Sequence, residues 1–441
     1  MITIFDLFIF PIYFTIVLFL CFIYYRKTLQ KSELASFFFP ALIFKILCGV
    51  CLGLLFQFYF GNGDTFVFFR SGKVILDAFS NSAADGFRML FLGEKLPEYI
   101  FPNDVLAQSK DSFLMYRITA VISFLSGGSY SVTSIFFSLF SFIGCWQLCI
   151  VLYKIKPELK LLSVIIFLFF PSIVFWGSGV MIDSLCVGFN GLLFASFLKL
   201  IFGINSRLKA ISIILICSLF LSILKDYIFL AFIATILLYL LYKVIHSFKS
   251  RMLKLLTLGI SLLILASVFV VLFERISEAI TSVLVELVLQ DAVKYSDAVG
   301  QISDDGSSYQ LVDDIENVNL ATIVGLFPMA VGTAIYRPFL WEANNVLQLV
   351  SALENLLIMI ISIWVFIRVG LLRFVKNILN NKLIFILFVY SIIFAFAVGI
   401  ASGNFGSLSR YRIPFMPIFF YLLGYLYFER RRQKKLELNH E

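Results

Sequence analysis

Residues 1–27 read MITIFDLFIFPIYFTIVLFLCFIYYRK. The run from residue 7 to residue 25 carries no charged side chain, and it is long enough to cross the hydrocarbon core of a bilayer as an α-helix. The stretch lacks the basic start of a secretory signal, and its apolar part is too long for a signal that is cleaved. Because its basic residues, Arg26 and Lys27, follow the apolar run, we expect a retained first span with the N-terminus outside.

Apolar runs of this kind recur along the chain, whose 441 residues are 61% hydrophobic and only 14% charged. Soluble domains carry about 25% charged residues, so a soluble protein is excluded. We predict an all-α polytopic membrane protein in which residues 1–441 form a single integral-membrane domain, with about eleven transmembrane helices in the range of roughly 10–13. The spans are expected at about residues 4–25, 36–60, 130–153, 161–177, 184–203, 209–224, 228–246, 253–273, 345–368, 383–402 and 413–428.

The loops between these predicted spans alternate between two kinds. One kind is rich in Lys and Arg, includes the basic tail at 429–441, and is expected in the cytoplasm, where basic loops collect. The other kind is mixed or acidic and includes two large outer loops carrying short helices, at about 61–129 and 275–344. Residues 113–127 are interpreted as an interfacial or re-entrant helix. The net charge of +8 needs no nucleic acid partner, because the basic residues cluster at helix ends.

The residue types available for chemistry on the outer side are restricted. The two histidines, His246 and His440, are both expected on the cytoplasmic side, which excludes a Ser-His-Asp triad or a His-ligated zinc on the outer face. No Walker loop occurs, and the seven cysteines lie within apolar runs as small hydrophobic residues. Carboxylates, Lys, Arg, Tyr and hydroxyls remain, and this set suits transfer reactions that need a general base and clamps for a phosphate leaving group.

Two carboxylates lie at predicted outer corners and are the candidate catalytic groups. In FGNGDTFVFFR, Asp64 follows the second span on a glycine-rich corner, where it can deprotonate an acceptor hydroxyl or simply cap the helix that starts at Thr65. In FWGSGVMIDS, Asp183 follows an irregular tip that contains two glycines. Irregular backbone at that depth must be buried in protein or line an aqueous cavity, and Asp183 can also be an N-cap.

The candidate substrate-binding residues are charged groups at the same predicted outer positions. Arg prefers phosphate through its planar fork of donors, whereas Lys binds phosphate as a point charge. Basic residues collect in cytoplasmic loops, so arginines on the outer side suggest a role in binding. The alternative for one isolated Arg at a helix end is that its side chain snorkels to the membrane interface. A solvated turn is the alternative for the Lys-Asp pair at 225 and 226. The candidates are Arg70, Lys225, Asp226, Arg337, Glu342, Arg410 and Arg412.

Four short motifs resemble the GT-C class of integral-membrane glycosyltransferases, especially bacterial members that draw sugars from polyprenyl-phosphate carriers. GNGDTFVFF, with Asp64, is similar to the acidic element that this class carries in its first large outer loop, and RYRIPFMP, residues 410–417, is similar to an Arg-Tyr-x-x-Pro-x-x-Pro segment before a late span. FWGSGVMIDS and RPFLWEANN look like segments of bacterial members. The chain differs in having two spans before Asp64 and one carboxylate there instead of a pair.

The resemblance implies a glycosyltransferase of the bacterial inner membrane whose active face is periplasmic or extracellular. Its partners would be a polyprenyl-phosphate-linked sugar donor, a glycan or lipid-linked acceptor, and membrane lipids, in surface polysaccharide or cell-envelope biosynthesis. Asp64 would be the general base and Asp183 an assisting group. No cofactor is certain, a divalent cation stays open, and no metal ligands are identified.

Two alternatives to the transferase remain from the sequence. A transporter or flippase of lipid-linked glycans needs charged residues near the bilayer midplane, and only Lys45 and Glu354 are placed there. A non-catalytic subunit of an envelope complex would tolerate neutral substitutions at all the outer candidate residues.

Overall fold

A computed structural model describes residues 2–61, 63–103, 109–204, 206–247, 320–402 and 404–438 of the chain. These residues form helices and short connections, and the described ranges contain no β-strand. The helices are α1 (Ile4–Tyr24), α2 (Ala35–Phe58), α3 (Asp64–Asn81), α4 (Ala83–Phe87), α5 (Lys110–Leu125), α6 (Tyr130–Ile155), α7 (Lys160–Leu168), α8 (Pro171–Trp176), α9 (Ile182–Phe202), α10 (Arg207–Leu224), α11 (Asp226–Ser247), α12 (Leu320–Tyr336), α13 (Val346–Val369), α14 (Leu371–Asn380), α15 (Lys382–Ala401), α16 (Phe405–Tyr411) and α17 (Met416–Leu438).

Within the described ranges, eight helices are long and apolar enough to cross a membrane. They are α1 with the π-helical turn that continues it, α2, α6, α9, α10, α11, α13 and α15, and each coincides with a predicted span. The all-α polytopic membrane fold is therefore confirmed. The predicted span at 161–177 is divided into α7 and α8, and the one at 413–428 overlaps α17, which begins at Met416. The one at 253–273 lies outside the described residues.

The chain divides into two compact units, Met1–Phe229 and Leu230–Glu441. In the first unit, the start of α1 is joined to the start of α6. The carboxylate of Asp6 accepts a hydrogen bond from Ser129 Oγ at 2.6 Å and from Ser131 N at 2.8 Å. A carboxylate at a helix N-terminus is stabilised by the macrodipole and by the amides that lack intrahelical acceptors. The two helices therefore begin side by side and run parallel.

At the opposite end of the first unit, an ion pair joins the start of α7 to the segment between α1 and α2. Lys160, at the start of α7, binds the carboxylate of Glu33 between α1 and α2, with Nζ and Oε2 separated by 2.9 Å. Helix α9 runs parallel to α6, since Phe189 packs on Phe140 and Lys199 hydrogen-bonds Gln147. We call this end, with Glu33, Lys154, Lys160 and Lys199, the lysine end. The end that holds Asp6, Asp64 and Asp183 is called the carboxylate end.

The predicted irregular tip between α8 and α9 is present and buried. Gly179 adopts a positive φ of 74° and lies against Gly49 of α2 and Ser134 of α6. Its amide donates to Ser138 Oγ at 3.1 Å, and Ser184 Oγ donates to the carbonyl of Gly179 at 2.8 Å. Polar backbone groups inside an apolar bundle require such partners. Hydroxyl groups of α6 and α9 supply them here.

The first predicted outer loop folds into helices α3, α4 and α5. The apolar stretch predicted at 113–127 belongs to α5, whose 16 residues are shorter than the membrane-spanning helices. Helices α3 and α5 approach closely at Gly72, because a Cβ there would lie only 2.9 Å from the amide nitrogen of Ala120. This pair of helices places Asp64 and Asp111 at their N-termini.

In the second unit, α12 packs against α15, and α13 and α15 pack against α17. The contact between α12 and α15 is close, since a Cβ at Gly399 would meet the carbonyl of Ala330. Residues 320–336, which form α12, fall within the outer loop predicted at 275–344. Short helices were predicted in this loop, but their positions were not. The remainder of that loop before residue 320 lies outside the described residues.

Candidate functional site

Six helices of the described ranges carry an aspartate in their first turn. Apart from Asp6 on α1 and Asp85 on α4, these aspartates are Asp64 on α3, Asp111 on α5, Asp183 on α9 and Asp226 on α11. The positive end of the helix macrodipole favours the ionised form of a carboxylate at this position. Each aspartate therefore has a local structural reason to be there, and the arrangement of the group decides whether it has a further role.

Asp64 is the first residue of α3 and is partly exposed. The N-cap position belongs to Gly63, so the helix begins one residue earlier than a cap at Asp64 would require. The next residue, Thr65, is fully buried, and its Oγ1 lies 2.6 Å from the hydroxyl oxygen of Tyr130. This hydrogen bond attaches the first turn of α3 to α6 and holds the Asp64 backbone in place.

Asp183 is buried, with only 5% of its surface exposed. It lies in the first turn of α9, immediately after the irregular tip. Burial of a carboxylate is costly unless hydrogen bonds or charges compensate for it. Asp183 thus lies at the start of a helix, and its side chain lies inside the protein.

Lys225 forms an ion pair that the sequence did not predict. Its Nζ lies 3.4 Å from Asp111 Oδ2, and both side chains are largely shielded, with exposures of 17% and 27%. The neighbouring Asp226 is exposed, and its Oδ1 accepts a hydrogen bond from the amide of Tyr227 at 2.7 Å. Asp111 was not among the candidates, although its place at the start of an apolar helix after an outer loop is the same signal that identified Asp64.

Electrostatic interactions connect these groups into one cluster, which we call the carboxylate cluster: Asp64, Asp111, Asp183 and Lys225. Asp183, Lys225 and Asp111 all lie close enough to Cys186 to act on its thiol. Asp111 and Asp64 both act on Tyr116 of α5: burial raises the pKa of the Tyr116 hydroxyl, and the two negative charges raise it further. The first unit therefore brings together three of the predicted residues and adds Asp111.

Arg70 lies on α3 and is partly exposed. Its Nε donates to the carbonyl of Phe66, one turn earlier, at 3.3 Å. The nearby Lys73 lies over the ring of Phe69, with Nζ 4.7 Å from the ring centroid. Helix α3 thus presents two cations along the segment that begins at Asp64.

In the second unit, Arg337 and Glu342 form a bidentate ion pair. Arg337 Nε donates to Glu342 Oε1 at 2.9 Å and to Oε2 at 3.2 Å, and a terminal nitrogen of the guanidinium also contacts Oε1. Glu342 Oε2 accepts a further hydrogen bond from the amide of Phe339 at 2.8 Å. The guanidinium carbon lies 5.1 Å from the ring centroid of Phe405.

Arg412 is almost completely buried, with 2% of its surface exposed. Its guanidinium donates to the carbonyl of Arg337 at 2.9 Å and to Asn355 Oδ1 on α13. The amide nitrogen of Asn355 donates in turn to the carbonyl of Pro338 at 3.0 Å. Arg412 and Asn355 therefore hold the segment after α12 in place, whereas Arg410, in the last turn of α16, is partly exposed.

The two ionisable residues that the sequence placed near the midplane belong to different units. Lys45 is buried on α2, and its Nζ donates to the carbonyl of Ile173 at 2.9 Å, in the last turn of α8. A cation at a helix C-terminus is stabilised by the macrodipole, so Lys45 has a structural role at the broken helix. Glu354 lies on α13 and is partly exposed.

Within the described residues, no group of three or more His, Cys, Asp or Glu side chains is arranged to hold a metal ion. Comparison with known proteins identifies no relative: no family model, no curated protein and no solved structure matches this chain. The geometry of the chain itself is therefore the basis for a functional proposal.

Proposed function

We propose that the protein is a membrane glycosyltransferase that transfers a sugar from a polyprenyl-(di)phosphate-linked donor to a glycan or other acceptor. The reaction would take place at the outer face of a bacterial inner membrane, in surface polysaccharide or cell-envelope biosynthesis. The observation that carries the proposal is the carboxylate cluster, in which Lys225 pairs with Asp111 at 3.4 Å while Asp64 and Asp183 begin two further helices of the same unit. Placing ionisable side chains within a membrane protein costs free energy, and residues that are kept there usually serve a function.

Asp64 is the best-placed general base, because its side chain is partly exposed while the turn that bears it is anchored through Thr65 and Tyr130. A positioned carboxylate that accepts the proton of an acceptor hydroxyl contributes about 10²–10⁴-fold to the rate. Asp183 is too buried to meet an acceptor directly, and we assign it a positioning role.

Lys225 is the candidate for binding the donor phosphate in the first unit. Its ammonium group is held by Asp111 at 3.4 Å and retains 17% exposure of the side chain. The donor phosphate or diphosphate carries one or two negative charges and would compete with Asp111 for the ammonium group, which binds phosphate as a point charge. Stabilisation of charge on the leaving phosphate is a principal contribution in transfer reactions of this type.

For the arginines of the second unit, the contacts favour different roles. Arg337 and Arg412 are engaged by Glu342, Asn355 and backbone carbonyls, and we assign them to the support of the segment 337–342. Arg410 is more exposed than Arg412, and we assign it phosphate binding on the chemistry of its donor fork.

A second candidate function, transport of a lipid-linked glycan, is favoured by the broken helix. Interrupted membrane helices with buried irregular backbone are typical of the binding sites of secondary transporters, and residues 177–181 form such an interruption. The structural role of Lys45 and the concentration of carboxylates at one end of the first unit favour the transferase.

The test uses the purified full-length protein in vesicles that contain a panel of polyprenyl-phosphate and polyprenyl-diphosphate sugars. A transferase releases the polyprenyl carrier and forms a new glycosidic product. A transporter moves the intact lipid-linked glycan across the bilayer and forms no product. Product formation that disappears in Asp64→Asn supports the proposal, whereas movement of intact donor without product would replace it with the transport function.

A further inference from the structure

A cavity of about 250 Å³ opens at the lysine end of the first unit, far from the carboxylate cluster along the helices. It lies between the π-helical turn after α1, the last turns of α6 and the end of α9. Two lysines, Lys154 and Lys199, line it together with Gln147, and apolar side chains such as Ile150 form part of its wall. The proposed transferase chemistry makes no use of this cavity.

The two charged residues among the described ones that line the cavity, Lys154 and Lys199, are both positive. Lys199 belongs to the apolar helix α9 and is partly buried, and the positive charges of Lys154 and Lys209 act on it. Its Nζ donates to the neutral oxygen Gln147 Oε1 at 2.9 Å. No Asp or Glu is among the residues that line the cavity within the described part of the chain. Lys199 is partly buried whereas Lys154 is exposed, and two like charges that act on each other attract a counter-ion.

Uncharged donors surround the lysines in the same cavity. Four hydroxyl-bearing residues, Thr28, Ser32, Tyr24 and Tyr153, are among those that line it, and the Tyr153 hydroxyl also interacts with the carboxylate of Glu33. The neighbouring carboxylate, Glu33, forms an ion pair with Lys160 at 2.9 Å, and neither residue is among those that line the cavity. Two ammonium groups and several hydroxyl donors around a space of this size form the donor set that a tetrahedral phosphate oxyanion requires.

We propose that this cavity binds the phosphate group of an anionic ligand, which Lys154 and Lys199 contact directly. Two sources share this chemistry: the headgroup of an anionic phospholipid, and a free phosphate or diphosphate. Basic pockets between membrane helices bind anionic headgroups in the first way. The inference is independent of the proposed transferase function, since it concerns the opposite end of the first unit.

The experiment measures ligand binding to the full-length protein and to two charge-matched variants. One variant carries Lys154→Gln and Lys199→Gln. The control carries Lys434→Gln and Lys435→Gln, which removes the same charge from exposed positions of α17. Phosphatidylglycerol and phosphatidylcholine are each titrated in mixed micelles, and the lipid molecules bound to the protein are counted by native mass spectrometry. Inorganic pyrophosphate is titrated separately, and its binding is measured as a shift in the unfolding temperature.

A lysine near an anionic surface contributes about a fivefold change in affinity. Because the cavity variant lacks two lysines, we expect it to bind at least one of the two anionic probes about 25-fold more weakly, and the control to bind like the unmodified protein. Phosphatidylglycerol binding without pyrophosphate binding identifies a lipid site, and the reverse identifies a soluble ligand. The proposal is overturned if neither probe binds, or if the cavity variant with an unchanged unfolding temperature binds both as the control does.

Discussion

The carboxylate cluster of the first unit contrasts with a group of residues in the second unit that we call the arginine network: Arg337, Glu342, Asn355 and Arg412. Both contain charged residues at predicted outer corners, but the charges have different partners. Lys225 and Asp111 meet at 3.4 Å and keep part of their surface exposed. In the second unit, Arg412 is 2% exposed and donates to Asn355 and a backbone carbonyl, while Arg337 is clamped by Glu342. A charge at a predicted outer corner can thus serve chemistry or serve the architecture, and its partners distinguish the two.

The largest expected effect that separates the two regions is on catalysis. Asp64→Asn should lower the rate of sugar transfer by about 10²–10⁴-fold, because an amide cannot accept the proton of the acceptor hydroxyl. The matched control is Asp85→Asn, since Asp85 also lies in the first turn of a helix, α4, and its partners are the nearby Arg88 and Tyr99. Equal rates for the two variants in a transfer assay would remove Asp64 from the mechanism.

The second prediction concerns stability in the arginine network. Arg412→Ala should lower the free energy of unfolding by about 2–4 kcal/mol, because it leaves Asn355 Oδ1 and the carbonyl of Arg337 without their charged donor. Arg410→Ala, two residues away and partly exposed, should change it by less than about 1 kcal/mol. Denaturant unfolding in micelles measures both values. A similar loss in the two variants would contradict the structural role of Arg412.

The third prediction concerns the ion pair in the carboxylate cluster. Asp111→Asn, Lys225→Gln and the double variant form a cycle whose coupling energy should be about 1 kcal/mol, because both side chains keep some contact with solvent and their charges are 3.4 Å apart. The same unfolding measurement provides the four values. Additive effects of the two substitutions would mean that the two charges do not interact, and the cluster would lose its connection between α5 and α10.

The smallest expected effect is on the alkaline stability. Burial, with the charges of Asp111 and Asp64, raises the pKa of Tyr116 in the folded protein. The unfolded chain therefore loses this proton first, and the contribution of Tyr116 to stability is present below about pH 10 and lost as the pH rises through the folded pKa. Tyr116→Phe should flatten this alkaline decline in unfolding free energy. An unchanged slope would show that the hydroxyl does not titrate in this environment.

Much of the fold follows from hydropathy and charge, because membrane helices are specified by local composition. The eight long apolar helices of the described ranges coincide with predicted spans, and Asp64 and Asp183 lie at the predicted helix starts. The break between α7 and α8, at residues 169–170 just before Pro171, was not part of the single span predicted at 161–177.

Pairings between distant residues were not predictable in the same way. Asp111 and Lys225 are separated by 114 positions, and Asn355 and Arg412 by 57. Such contacts depend on which faces of the helices pack together, and a nearly uniform apolar sequence contains little information about that choice. Asp6 was overlooked for the same reason, since its partners Ser129 and Ser131 belong to α6 and the turn before it.

The most direct test of the proposed function is a crosslinking map of the donor. A photoactivatable polyprenyl-diphosphate analogue is reacted with the full-length protein, and the labelled peptides are identified by mass spectrometry. The proposal predicts labels at the helix starts around Asp64, Asp111 and Lys225, competed by unlabelled donor and reduced in Lys225→Gln. Labels that are confined to the lysine end, or that donor does not compete, would contradict it.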